Sequence, residues 1–258
     1  MNSTEWDILC KFRDDFKQKT KEWSTRVPDL KELEAKAAKL AGTPDYPFEN
    51  PVVYNTDLDK ITRQDQIKLI VIGDNPGKDE QRTKNQRYLC GQAGKLAEGF
   101  FKNHPELGID FRRNVIILNK TPVHSAKTGQ LKTIIKLGGE PAAALILESQ
   151  LWMAEQTAKL HQLLVKEQPE TGLWLVGYSE LKEKHFFCPY KDKLKESYFA
   201  DTADGATTRA AWNQVRVFQH FSMNRFTIDL SQYKPDDLPL KQKLESLGNL
   251  HKKEIFGD

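Results

Sequence analysis

Four groups of chemically capable side chains stand at the ends of short apolar runs. Asp74, Asn75, Pro76 and Gly77 follow "IKLIVIG" (67–73), and Asn119, Lys120, Thr121, Pro122 and His124 close or follow "NVIILN" (114–119). Tyr178 and Ser179 follow "GLWLVG" (172–177), and His220, Phe221, Ser222, Met223, Asn224 and Arg225 close or follow "VRVFQH" (215–220). An amide offers one acceptor and two donors, enough to read the edge of a planar ring. A histidine can donate a hydrogen bond or a proton where negative charge develops. A carboxylate can take a proton from water or oppose positive charge, and lysines and arginines can hold phosphates. The stretch "GDNPG" (73–77) has two readings: an ordinary turn in which Asp74 bonds the backbone, or the working tip of a strand.

The elements that would position these groups follow from the pattern. The four runs are rich in Val, Ile and Leu and scarcely alternate, as strands covered on both faces do. "AGKLAEGFFKN" follows the first run, and "EPAAALILESQLWMAEQTAKLHQLLVKE" and "KDKLKESYFA" precede the third and fourth, each at helical spacing. Alternating strands and helices predict a parallel sheet in an α/β architecture. Right-handed crossovers then bring all the strand C-termini to one edge, where open α/β sheets bind ligands. Upstream, a helix capped by Ser3 or Thr4 and a second helix after Pro28, ended by Gly42 and Pro44, read as an N-terminal helical extension over 1–60. The α/β domain is expected over 61–258.

Composition narrows the class. The chain has 258 residues, 38% hydrophobic and 29% charged, and a formal charge of +3, which suits a soluble globular protein and points only faintly to nucleic acid. No apolar run approaches the ~20 residues of a membrane helix, so no membrane partner is expected. The start "MNSTEWDILCKFRDD" lacks the features of a signal peptide. Cys10, Cys90 and Cys188 are few, odd in number and far apart, which fits reduced thiols in an intracellular protein and spells out no metal-ligand set.

At these residues the chain resembles the uracil-DNA glycosylase superfamily. "GDNPG" (73–77) is similar to its G-x-[DN]-P-x water-activating loop, and "LCGQAGKLAEGF" (89–100) to the G-x-A-G-x-L segment that follows in several branches. "NVIILNKTP" (114–122) is similar to the strand ending in a base-reading asparagine, and "HFSMNR" (220–225) to the H-P-S-P loop that grips the base and wedges the duplex. Each motif is weak alone; four in order are more specific. There are departures. Phe221 and Met223 replace both prolines, and the cysteines of the iron–sulfur branches are missing. Asn75 stands where the most active branch has aspartate, which places the loop nearest the N-P-G mismatch-specific and single-strand-selective branches. Asp74 falls where some iron–sulfur branches carry glutamate.

The resemblance implies a three-layer α/β/α fold around a four-stranded parallel sheet. It implies a monomeric DNA glycosylase that works without metal or organic cofactor. Its substrate would be uracil or a related deaminated base, flipped out of DNA. Asn75 and His220 would be catalytic, with Asp74 competing for the water. Asn119, Gly73, Pro76, Gly77 and Ser222 would form the base site, with Tyr88 or Leu89 stacking. Lys78, Arg87, Lys120 and Lys127 would meet phosphates, and Met223, Asn224 and Arg225 would supply the wedge. Two other readings stay open: a noncatalytic nucleic-acid-binding relative, and a small-molecule α/β enzyme. The latter is weakened by the absence of G-x-G-x-x-G and G-x-x-x-x-G-K-[ST]. For Asp74 and most of the lysines, turn bonding and plain solvation are the bland alternatives. His124 reads as a DNA contact or, more simply, a loop histidine, and His161 as a packed or surface one.

Overall fold

In the computed structural model, which describes residues 1–200, 205–234 and 237–257, four strands form one parallel sheet in the order β2-β1-β3-β4. They are β1 (Leu69–Gly73), β2 (Val115–Asn119), β3 (Gly172–Val176) and β4 (Val215–Phe218). Every residue of β1 and β2 is buried, so helices cover both faces, and the chain is α/β with an all-parallel central sheet. β1 pairs with β2 on one side and β3 on the other, and the crevice between their C-terminal ends is the topological switch point.

Eight α-helices surround the sheet among the described residues. Trp174 on β3 stacks on Phe101 of α3 (Gln92–Asn103; centroids 5.4 Å apart) and on Phe226 of α7 (Arg225–Gln232; 5.8 Å). On the same face, α8 (Leu240–Phe256) comes so close to β4 that a Cβ on Gly248 would lie 2.7 Å from the Arg216 side chain. The long α4 (Gln130–Glu167) carries α5 (Cys188–Phe199) and α6 (Gly205–Asn213). The sequence suggests a helix only from Glu140. The structure begins it at Gln130 and breaks it at Gly139 (φ 61°), so Pro141 falls in the first turn of a new segment, where its missing N–H costs nothing.

The expected N-terminal helices are α1 (Ser3–Arg26) and α2 (Leu30–Leu40). Asn2 caps α1, rather than Ser3 or Thr4. Its side chain accepts from the Glu5 N–H (2.9 Å) while Glu5 accepts from the Asn2 N–H (2.6 Å), a reciprocal capping box. Both helices pack on α4, and the hydrophobic core runs without a break from Leu9 to Ile255. Phe16 and Trp23 of α1 meet Trp152 of α4 at 5.8 and 5.5 Å. The residues 1–60 are thus joined to the α/β part through α4. No helix among the described residues is long and apolar enough to cross a membrane, and Cys10, Cys90 and Cys188 are free thiols.

Glu34 lies on the buried face of α2 among Leu30, Leu33 and Ala37, and its Oε1 has no partner among the described residues. Burial raises its carboxyl well above the ordinary range, with Lys31 opposing weakly. The folded chain therefore keeps a proton that the unfolded chain loses near pH 4.5, and stability falls as pH rises above that point. Glu34→Gln cannot ionise. Urea unfolding should show the variant gaining on the wild type between pH 4.5 and pH 8; a difference independent of pH would refute the buried-acid assignment.

Candidate active site at the strand tips

β1 and β2 are in register, so Gly73 sits opposite Asn119. The Asn119 side chain lies across Gly73, where a Cβ would come within 2.4 Å of Asn119 Oδ1. Asn119 is buried, and its Nδ2 has no hydrogen-bond partner among the described residues. A buried amide left unpaired costs free energy unless a ligand supplies the acceptor.

Beyond Gly73 the chain turns through Asp74 and Asn75. Lys120, next after Asn119, is fully buried and points beneath the turn. Its Nζ lies 2.5 Å from Asp74 Oδ1, 2.5 Å from the Val176 carbonyl and 5.0 Å from the centre of the Phe187 ring. Burial pulls the Lys120 pKa down and Asp74 opposes the shift. Asp74 also needs Gly177, whose φ of 94° suits glycine and whose Cβ would lie 2.3 Å from Asp74 Oδ1. Asn75 is held on both sides. Nδ2 donates to the Ser125 carbonyl and hydroxyl (3.0 Å each), and Oδ1 lies 3.2 Å from the Thr128 hydroxyl. These contacts fix which end of the amide is oxygen and leave Oδ1 a lone pair for a water.

His220 is partly buried at the end of β4. Its Nδ1 accepts from the Ser222 backbone N–H (3.0 Å) and faces the Ser222 hydroxyl (2.8 Å). A neutral imidazole whose Nδ1 accepts must carry its proton on Nε2, which has no partner among the described residues. Burial lowers the His220 pKa, Asp74 opposes, and Lys120 and Arg225 push it further down. The ring is therefore a neutral donor at physiological pH.

These groups line one pocket of ≈ 600 Å³. Asp74, Asn75, Gly77, Leu89, Asn119, His220 and Ser222 border it, with Lys78, Lys127, Met223 and Arg225 on its exposed rim. Met223 is 69% exposed and, like Asn224 beside it, has positive φ (53° and 56°). No proline could take that conformation at 223. Phe221 is buried against Phe226 at 4.8 Å.

The structure corrects two expectations, for Lys120 and Tyr88. Lys120 cannot meet phosphate, because it is sealed beneath the turn by Asp74. Tyr88 cannot stack on a ligand, because its ring is fully buried and its hydroxyl donates to the Val53 carbonyl (2.5 Å). Leu89, with φ 47°, borders the pocket instead. Arg87 is directed at Asp57 (2.6 Å), outside the pocket lining. Pro76 and Gly73 are buried behind the wall, and Asn224 stands beside the rim.

Sequence reasoning missed Ser125, Thr128, Gly177 and Glu80. Glu80 accepts from the Gly77 N–H (3.0 Å) and borders the pocket; burial raises its pKa to about 7, against hydrogen bonds from backbone N–H groups of Gly77, Leu89 and Cys90. Its signal was the spacing, an acid three residues after a turn glycine, as in a helix N-terminal box. Among the described residues no group of three His, Cys, Asp or Glu side chains could hold a metal ion.

Comparison of the chain with protein-family models, with curated proteins and with solved structures finds no significant match.

Removing one partner of a buried ion pair strands the other, at about 3–5 kcal/mol. Lys120→Met should therefore destabilise the fold by that order in urea unfolding, and Asp74→Asn in the same chain should recover most of the loss. Equal stability of the single and double variants would show that the pair is not coupled.

Proposed function

We propose that the protein is a DNA glycosylase of the uracil-DNA glycosylase type, which hydrolyses the N-glycosidic bond of uracil or a related deaminated base flipped out of DNA. The observation that carries this reading is the convergence of Asn75, Asn119 and His220, from three strand tips, on one pocket with two unused donors: the Asn119 amide and the His220 Nε2–H. The parallel sheet and the four ordered motifs support it, although no detectable relative does.

In this mechanism Asn119 meets the edge of the flipped base, and Leu89 offers an aliphatic face. As the bond from C1′ to the base breaks, its electron pair moves onto the base, and His220 Nε2–H stabilises the charge gathering on the base oxygen. The sugar becomes oxocarbenium-like. A water held by Asn75 Oδ1 adds to C1′ and releases its proton to solvent, while the departing base takes one up. Asp74 shapes the turn rather than acting as the base, since Lys120 and Thr128 occupy its oxygens. Lys78, Lys127 and Arg225 face the phosphates, and Met223 fills the gap left in the stack.

That engagement of Asp74 favours a second reading, in which the pocket binds a base without turnover. Oligonucleotides carrying uracil, hypoxanthine, xanthine or mismatched thymine, incubated with protein and treated with alkali, separate the two. Cleavage of at least one is expected, reduced roughly 10²–10³-fold in His220→Ala. DNA binding without cleavage of any would support the second reading.

Either reading requires that affinity for DNA fall steeply with salt, because phosphate neutralisation releases counterions. Fluorescence anisotropy on one oligonucleotide should show a linear loss of log affinity with log salt, shallower in Lys78→Ala and Lys127→Ala. A flat response would exclude a nucleic-acid partner.

A further inference from the structure

A buried histidine joins the N-terminal segment to the turn behind the pocket. His124 is fully buried, 48 residues along the chain from the Pro76 carbonyl that its Nδ1 meets at 2.8 Å. A carbonyl only accepts, so Nδ1 carries the proton and Nε2 must accept. The hydroxyl of Tyr46, 3.0 Å from Nε2, is the donor. Tyr46 and Phe48 pack edge-on against the imidazole at 5.7 and 6.0 Å, and the His124 N–H bonds the Pro51 carbonyl (2.9 Å). The Pro76 carbonyl also receives the Ser125 N–H (3.1 Å) and stands 3.2 Å from Asn75 Nδ2.

We propose that His124 is a positioning residue for Asn75, its tautomer set by the Pro76 carbonyl and its ring held in place by Tyr46, from the segment before the sheet. His124 holds the carbonyl that follows Asn75, and so sets where Asn75 Oδ1 lies. This rests on the glycosylase reading for its catalytic consequence, but not for its structural one. Tyr46 acts one step further away: without its hydroxyl the buried Nε2 lone pair is left unpaired, and the imidazole is held less firmly against Pro76. A misplacement of about 1 Å at a reacting group can cost on the order of 100-fold in rate.

Two near-isosteric substitutions test it. In His124→Asn the side-chain amide nitrogen takes the place of Nδ1 and can still donate to Pro76. In His124→Gln the amide nitrogen falls near Nε2 and cannot. The Asn75 side-chain amide resonances, read by ¹⁵N NMR in the full-length protein, should stay near their wild-type positions in His124→Asn. They should shift or broaden in His124→Gln and, to a smaller degree, in Tyr46→Phe. On a cleavable oligonucleotide, kcat should fall at least tenfold in His124→Gln with KM little changed, and be largely retained in His124→Asn. Thermal unfolding of all three separates this from a loss of fold. Equal perturbation of Asn75 by the Asn and Gln variants, or none by either, overturns the proposal. If the wild type cleaves nothing, the glycosylase reading fails, and the NMR comparison still decides the role of His124.

Discussion

The ion pair between Lys120 and Asp74 is the constraint on which the site depends. One ammonium group reaches the carboxylate after β1 and the final carbonyl of β3 from its own place after β2. It thereby ties three neighbouring strand ends at the switch point of the sheet. A charge this deep is tolerated only when its donors are satisfied, and the geometry that satisfies Lys120 dictates what surrounds it. Residue 177 must lack a side chain, and both Asp74 oxygens are engaged, by Lys120 and by Thr128. The glycine opposite Asn119 has a separate cause, the Asn119 side chain that lies across it.

Around that fixed floor, the rim is held in conformations that side chains seldom adopt. Leu89 lies with positive φ, its carbonyl gripped by Arg112 and seated so closely over Gly94 that a Cβ there would overlap it. Met223 and Asn224 are two consecutive residues in the left-handed region. Such backbone is disfavoured by on the order of 1–3 kcal/mol per residue and persists only where its surroundings enforce it. Here the buried Phe221 and Phe226 anchor the base of the 220s loop and leave its tip to project. The walls also carry acids, Asp79, Glu80 and Glu180, beside Lys78, Lys127 and Arg225.

The strands were legible in the sequence because each is dominated by Val, Ile, Leu and aromatic residues, and the ordering of polar groups at their ends followed from parallel topology alone. That was enough to gather Asn75, Asn119 and His220. The first ten residues of α4 were hidden by Gly138 and Gly139, which interrupt the helical period where the helix itself breaks. The helix α8 is rich in lysine and glutamate, and α7 is only 8 residues long, so neither stands out. The misreading of Lys120 has a different cause. A lysine in a polar loop reads as solvated, and its partners Val176 and Phe187 lie more than fifty residues away. His124 was ambiguous for the same reason: its two partners are the Pro76 carbonyl and Tyr46, the latter contributed by a segment whose sequence gives no hint of the encounter.

The packing of α1 on α4 carries a consequence for the birth of the chain. Leu9, Phe12, Phe16 and Trp23 make a continuous apolar stripe, yet Trp152 and Glu148, which receive it, lie 125 or more positions later for Trp23. At a synthesis rate of roughly 5–20 residues per second, the stripe emerges from the ribosome on the order of ten seconds before its partner. During that interval Tyr54, which meets Phe16 at 5.3 Å, can cover part of the stripe, while Trp23 waits for α4. The nascent polypeptide is most exposed to holdase chaperones then, and a pause in translation before α4 would lengthen the wait.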